Sequence, residues 1–366
     1  MRVQGRDYRT VWMDGSTVRM IDQRLLPHQF SILDCPTSRH TAEAICSMAV
    51  RGAGAIGVAA GYAVAQAALE APAGQYREAI ASAAAAIRAT RPTARDLFYA
   101  VEQVEQAVAA AGDLVHARQA AMATAVRLSD ENANAGEAIG RAGEPLLAQG
   151  ARVLTHCNAG WLAFADWGSA LAPVYRAQRS GKQPFVYVTE TRPRSQGAKL
   201  TAWELGEEGV SYVLVADTAC GRLFQRQAVD CVLVGADRIA ANGDVANKIG
   251  TYAIAVLAHR HGIPFYVAAP RSTFDLATPT GEAIVIEERG EEEVLEVSGA
   301  APDGSLMRVR ISPATARAEN PAFDVTPAAL VRGLLTERGL LPPQPEAIAA
   351  LVSSHAESLA GSPRRN

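Results

Sequence analysis

The sequence has little of what marks a cross-linked, basic or membrane-bound chain. Its five cysteines, at 35, 46, 157, 220 and 231, form no CxxC pair and leave an odd one over. That pattern argues against a disulfide framework and against a structural zinc site. Charge of one sign is not in excess, since 35 Lys and Arg face 38 Asp and Glu for a net of −3. Such a balance offers no basic footprint for nucleic acid or for an anionic membrane surface. The longest weakly polar run, Gly52 to Ala65, is 14 residues of mostly Ala and Gly, too short and too small-sided to span a bilayer. The opening segment, Met1 to Met20, is interrupted by Arg2, Arg6, Asp7, Arg9, Asp14 and Arg19, and reads as neither signal peptide nor anchor. There is no internal repeat and no low-complexity linker. The expectation is a reduced, soluble, cytoplasmic protein.

What is present reads as two halves. With 366 residues, 49% hydrophobic and 20% charged, the chain has ordinary globular usage and a length that suits two domains. The first, to about residue 145, is alanine-rich and helical, over Thr41–Val50, Gly57–Leu69, Tyr76–Ala89, Ala94–Ala111 and Leu114–Ala135. Leu97, Val101, Val104 and Val108 recur at the three- and four-residue steps of one buried helix face. An extended stretch, Thr10 to Leu33, precedes these helices and predicts a small antiparallel sheet. The second, 146–366, alternates short apolar runs with helical segments. The runs Val153–Cys157, Phe185–Glu190, Tyr212–Asp217, Cys231–Asp237 and Phe265–Pro270 lack polar alternation, as strands covered on both faces do. Helices are expected at Trp161–Ala177, Gly197–Glu208, Gly221–Ala228 and Asn247–His261. Together these predict an α/β chain: a helical N-terminal domain with a small sheet, then a Rossmann-like, doubly wound parallel sheet.

In open parallel sheets ligands bind beyond the carboxyl ends of the strands. Cys157, Glu190, Asp217, Asp237 and Pro270 stand there, so a thiol and three carboxylates are expected to converge. Cys157 also precedes an expected helix start at Asn158–Gly160, which would favour the thiolate. The other cysteines read as small buried apolar groups. His156 adjoins Cys157, but strand neighbours face opposite ways, so no His–Cys pair follows. Asp237 leads into a loop of small residues and then Asn247-Lys248, read as the start of a helix where an amide, an ammonium and free N–H groups suit an anion. Glu190-Thr191-Arg192-Pro193-Arg194-Ser195-Gln196 adds two guanidiniums, a hydroxyl and an amide, and Arg91-Pro92-Thr93 lies between two helices. Gly52-Ala53-Gly54-Ala55-Ile56-Gly57 matches the dinucleotide pattern, which needs a strand before it and an acidic residue about 20 positions on at the next strand's end. Helical sequence surrounds it instead. An Arg51-led turn that opens a helix and holds a phosphate fits better, with a plain tight turn as the other reading.

These segments resemble the methylthioribose-1-phosphate isomerase family, which is related to the regulatory subunits of a translation-initiation exchange factor. The likeness runs from about Thr10 to Leu341. It takes in Ile21-Asp22-Gln23, Arg51-Gly52-Ala53, Arg91-Pro92-Thr93-Ala94, Thr155-His156-Cys157-Asn158-Ala159-Gly160, Glu190-Thr191-Arg192-Pro193 and Gln196-Gly197-Ala198. It continues through Leu200-Thr201-Ala202-Trp203-Glu204-Leu205, the Gly235–Tyr252 segment and Asn320-Pro321-Ala322-Phe323-Asp324-Val325-Thr326-Pro327. The resemblance implies a homodimeric aldose–ketose isomerase of methionine salvage, with no cofactor and no metal. Its substrate would be a small sugar phosphate, 5-methylthioribose 1-phosphate, with 5-deoxyribose 1-phosphate or ribose 1,5-bisphosphate as sister substrates. A non-catalytic regulatory relative is the other class, and such relatives generally lack the paired Cys and Asp. Carried over by position, Cys157 and Asp237 are the acid/base pair, and Arg51, Gly52, Ala53, Arg91, Gln196, Asn247 and Lys248 hold the phosphate and sugar. Departures from the family pattern stand at Gly54 in place of proline, at Asp217–Arg222, and at Trp161 and Trp167.

Overall fold

The alanine-rich half is built around one helix. Ala53–Glu70 carries mostly small or aliphatic side chains on every side, and each residue from Gly54 to Ala68 is buried. A helix apolar all round has to be enclosed, and Ser38–Cys46, Tyr76–Thr90, Arg95–Ala109 and Leu114–Gly143 pack around it. Among the described residues it is the one helix long and apolar enough to cross a membrane, and 83% of that window lies inside the protein. These features come from a computed structural model that describes residues 1–91 and 95–360. Pro92, Thr93 and Ala94 of the Arg91-Pro92-Thr93-Ala94 motif lie outside the described residues. The predicted small sheet is antiparallel and three-stranded, Val11–Asp14, Thr17–Ile21 and Ile32–Cys35.

The second half forms a seven-stranded sheet in the order Gly339–Leu341, Gly333–Thr336, Phe265–Ala268, Cys231–Val234, Arg152–Thr155, Phe185–Thr189, Ser211–Val215. Every neighbouring pair is parallel except the last hairpin, Gly333–Thr336 with Gly339–Leu341. Chain order reverses between Arg152–Thr155 and Cys231–Val234, whose register sets Val153 against Cys231 and Leu154 against Val232. That is the switch point where a crevice opens in a doubly wound sheet. Cys157 and Asp237 lie just beyond these two strands.

Two predicted helices are corrected. Trp161–Ala177 is a short turn at Trp161–Ala163, an irregular stretch, and then a helix only at Ala172–Arg179. The buried Glu204 carboxylate takes the Trp161 and Leu162 amides at 2.8 and 3.1 Å, and Pro173 suits a fresh helix start. Asn247-Lys248 does not begin a helix: it ends the strand Val245–Lys248, which pairs antiparallel with Arg238–Ala240 and with Phe323–Thr326. The cause is the Asn242-Gly243 turn, a strong local hairpin signal. The helix starts at Thr251, after Gly250 at φ 101°. The Leu114 helix also continues past Ala135 to Gly143, where its glycine-spaced last turns press on the 166–176 backbone.

Candidate active site

Cys157 and Asp237 line one cleft at the switch point, where a doubly wound sheet takes its ligands. Cys157 is held in the left-handed region, at φ 66°, which a non-glycine residue occupies at a cost. Side-chain hydroxyls pin it there. Its N–H donates to Thr191 Oγ1 at 2.8 Å and its carbonyl accepts from Thr201 Oγ1 at 2.7 Å. The helix start expected at Asn158–Gly160 is replaced by the short turn at Trp161–Ala163, and Lys248 is a positive charge close to the thiol. His156 also borders the cleft, but its ring is tied up in a bridge to Thr189 Oγ1 at 2.7 Å and the Ile249 carbonyl at 2.8 Å. Burial lowers its pKa. A neutral ring fits, accepting at Nδ1 and donating at Nε2.

The hairpin after Asp237 brings Lys248 back beside it. The Asp237 N–H donates to the Ala246 carbonyl at 2.9 Å, and Arg238 pairs with Ala246. Lys248 Nζ donates to the Ala322 carbonyl at 2.8 Å and lies 4.8 Å from the Phe323 ring centroid. That seat is supplied by the Asn320–Pro327 motif, whose Asp324 accepts from the Gly250 and Tyr252 amides at 2.7 and 3.1 Å. Burial pushes the Asp237 pKa upward, against the pull of Lys248, Arg51 and Arg91. Burial lowers that of Lys248, while Cys157 and Asp237 act to raise it. Asp237 is half-buried on the cleft wall, and loss of solvation is the largest influence on its charge.

Arg51-Gly52-Ala53 forms the opposite lip. Gly52 sits at φ 88°, and a Cβ on it would stand 2.5 Å from Ala163 Cα, so only glycine fits. It leads into the Ala53 helix, with no side chain capping those first amides. Arg51 is aimed by Asn158, whose Oδ1 and carbonyl accept at 2.6 and 3.1 Å. Asn158 is in turn fixed by Glu204, which also takes the Tyr175 hydroxyl at 2.6 Å. Burial lifts the Glu204 pKa to about 7 against these donors. Neither Asn158 nor Glu204 was singled out from sequence as an orienting group. Arg91, Gln196 and Asn247 complete the predicted set on the cleft wall. The buried Gln196 Oε1 has no hydrogen-bond partner among the described residues.

The expected convergence of three carboxylates does not occur. Only Asp237 reaches the cleft. Asp217 accepts from the Thr191 and Arg192 amides, both at 2.7 Å, and so braces the 191–196 loop. Glu190 lies off the cleft, and Pro270 lines a neighbouring cavity beside Asp96. Arg192 bonds the Val294 carbonyl at 2.8 Å, whereas Arg194 lines the cleft, as does Arg289, which sequence reading passed over. Arg289 lies in the charged run Glu287–Glu293, which looks like solvated surface until Arg194 is placed against it. The wall thus carries Arg51, Arg91, Arg194, Lys248 and Arg289 around a single carboxylate. Among the described residues no group of three or more His, Cys, Asp or Glu is placed to hold a metal ion. Trp161 packs 5.8 Å from Trp203, and Trp167 lies under Arg179, so these departures sit outside the cleft. Gly54 borders Phe164, with 2.5 Å from an added Cβ to its ring, which leaves no room for a larger residue there.

A family model described as the initiation factor 2 subunit family matches residues 49–343. The chain belongs to that family. The methylthioribose-1-phosphate isomerase of Sinorhizobium medicae is 46% identical over 363 residues, covering 96% of this chain and 99% of its own. That of Roseiflexus castenholzii is 48% identical over 359 residues, covering 94% and 98%. Among solved structures, 5-methylthioribose 1-phosphate isomerase from Pyrococcus horikoshii superposes with a TM-score of 0.85 at 39% identity, covering 95% of this chain and 97% of its own. A structure described as translation initiation factor eIF-2B, subunit delta, from A. fulgidus gives 0.81 at 38%, covering 95% and 100%. The fold expected from sequence is that of these relatives.

Proposed function

We propose that this protein is an aldose–ketose isomerase that converts 5-methylthioribose 1-phosphate to 5-methylthioribulose 1-phosphate. One observation carries the reading above others: a thiol and a poorly solvated carboxylate share a switch-point cleft with five cations. The near full-length likeness to isomerases of that name supports it. In this reading Arg51, Gly52, Ala53, Arg91, Gln196, Asn247 and Lys248 hold the sugar phosphate. Asp237, protonated, gives its proton to the ring oxygen as the bond from C1 to that oxygen breaks. Cys157 as thiolate takes the proton from C2, leaving a C1–C2 enediol phosphate. The thiol returns a proton to C1, the C2 hydroxyl proton passes to Asp237, and the ketone forms with both groups restored. In this reading the bound sugar phosphate displaces bulk water from the cleft and so protects the opened intermediate.

The remaining parts of the proposal are a homodimer, a cytoplasmic setting and two domains meeting near residue 145. Tyr212, Val213 and Leu214 are exposed on the edge strand of the large sheet, and all five cysteines are free thiols. One apolar core spans the helical half, and others flank the sheet. The decisive assay incubates the protein with 5-methylthioribose 1-phosphate, 5-deoxyribose 1-phosphate or ribose 1,5-bisphosphate and follows ketose phosphate by ¹³C NMR. Turnover of the first in preference to the others is expected; no turnover of any overturns the isomerase reading. Sedimentation at micromolar concentration tests the dimer.

A further inference from the structure

Five cations line the cleft, and three of them are tied together. Arg91, Arg194 and Arg289 come from separate parts of the chain, yet two carboxylates join them in a line. Glu287 stands 3.6 Å from Arg91 Nη2 and 3.6 Å from Arg289 Nη1. Glu293 accepts from Arg289 Nε at 2.8 Å, from Arg289 Nη2, and from Arg194 Nη1 at 3.0 Å. Asn320 Nδ2 donates to Glu293 Oε2 at 3.1 Å and to the Gly290 carbonyl at 2.9 Å, fixing that carboxylate to the backbone carrying Arg289. Burial alone would lift the Glu293 pKa, but the hydrogen bond and charge of Arg289, with the charge of Arg194, bring it to about 2. Glu293 therefore stays ionised at any working pH.

Two guanidiniums side by side repel each other, and one shared carboxylate compensates only part of that. Arg194 donates to Glu293 through Nη1, and its other donors have no partner among the described residues. Planar forks of this kind match a phosphate better than a point charge does. With Asp237 protonated, as in the reading above, the Cys157 thiolate, Glu287 and Glu293 set against the five cations leave two positive charges, the complement of a phosphate dianion.

We propose that Arg194 and Arg289 are two further phosphate-binding groups of this cleft, and that Glu293 is the positioning residue that holds them together. The proposal rests on the sugar-phosphate reading above. Its test uses the full chain with Arg194→Gln, Arg194→Lys and Glu293→Gln. Inorganic phosphate binding is measured by titration calorimetry, and KM and kcat with 5-methylthioribose 1-phosphate. Arg194→Gln and Glu293→Gln should each weaken phosphate binding and raise KM roughly 10- to 100-fold, the worth of a charged hydrogen bond. Turnover at saturation should stay within about threefold, and Arg194→Lys should recover part of the affinity. Unchanged phosphate affinity and KM in Arg194→Gln overturn the proposal, as does a loss confined to kcat. Should Glu293→Gln fail to fold, Arg194→Gln still decides. If the wild type binds phosphate but turns over no sugar phosphate, the isomerase reading fails while the calorimetry still judges these two arginines.

Discussion

At the scale of single residues, the raised pKa of Asp237 has a direct kinetic consequence. Burial favours its neutral form, with Lys248, Arg51 and Arg91 opposing. As an acid it is active when protonated, so kcat/KM should fall as pH rises through that raised pKa. Asp237→Asn should remove this limb and lower kcat by roughly 10²–10⁴-fold, and Cys157→Ser should cost a similar factor. A limb that persists unchanged in Asp237→Asn belongs to another group. Asp96 makes a stability prediction instead. It is buried, and that burial lifts its pKa from 3.8 to about 6, against a hydrogen bond from Ser272 and the charge of Arg95. A carboxyl raised in the folded state favours folding below its unfolded pKa and loses that contribution as pH rises through the folded one. About two pKa units correspond to roughly 2–3 kcal/mol. Asp96→Asn should therefore raise the thermal midpoint at pH 8, with the gain fading between pH 6 and 4. A gain independent of pH would assign the effect to packing.

At the scale of elements, the hairpin from Arg238 to Lys248 decides whether Asp237 and Lys248 share a site. Gly243 turns it at φ 90°, and a Cβ there would stand 2.8 Å from the Pro343 carbonyl oxygen. Gly243→Ala should cost roughly 1–3 kcal/mol in urea unfolding and raise KM, because Asn247 and Lys248 shift together. An unchanged KM would separate the hairpin from binding. This element also marks where sequence reading succeeded and where it stopped. Cys157 and Asp237 were legible because apolar runs announce strands and strand ends announce sites. Lys248 was legible as a cleft residue, but the sequence suggests a helix there, because the helical run after Thr251 masks the short Asn242-Gly243 hairpin signal. Asp217 resembled a third site carboxylate, since nothing local reveals that it accepts from the Thr191 and Arg192 amides. Arg289 and Glu293 stayed hidden because their meaning depends on Arg194, about a hundred residues away in the chain.

At the scale of the whole molecule, the cleft draws Arg51, Gly52, Ala53 and Arg91 from the helical half and Cys157, Asp237 and Lys248 from the second half. An anion bound there touches both, so it should stabilise them as one unit. Inorganic phosphate at about 100 times its dissociation constant should add about 2.7 kcal/mol, raising a single calorimetric transition rather than splitting it. A shift limited to part of the heat absorption would show that only one half binds. A chain of net charge −3 that gathers five cations in one cleft should also lose kcat/KM as ionic strength rises.

The register at the switch point works as a ruler. Cys157 and Asp237 each hang a few residues beyond paired strands, with Leu154 locked opposite Val232. Neighbouring strands hold a separation of about 4.8 Å, and a slip of one residue moves a strand by about 3.3 Å and turns every side chain to the other face. The span between thiol and carboxylate therefore cannot drift gradually with mutations in the strands. A chain of this design can be retuned for a longer or shorter substrate only through the lengths of the two exit segments, so single-residue insertions beside residue 156 or at 235–236 are where altered substrate reach should first be sought.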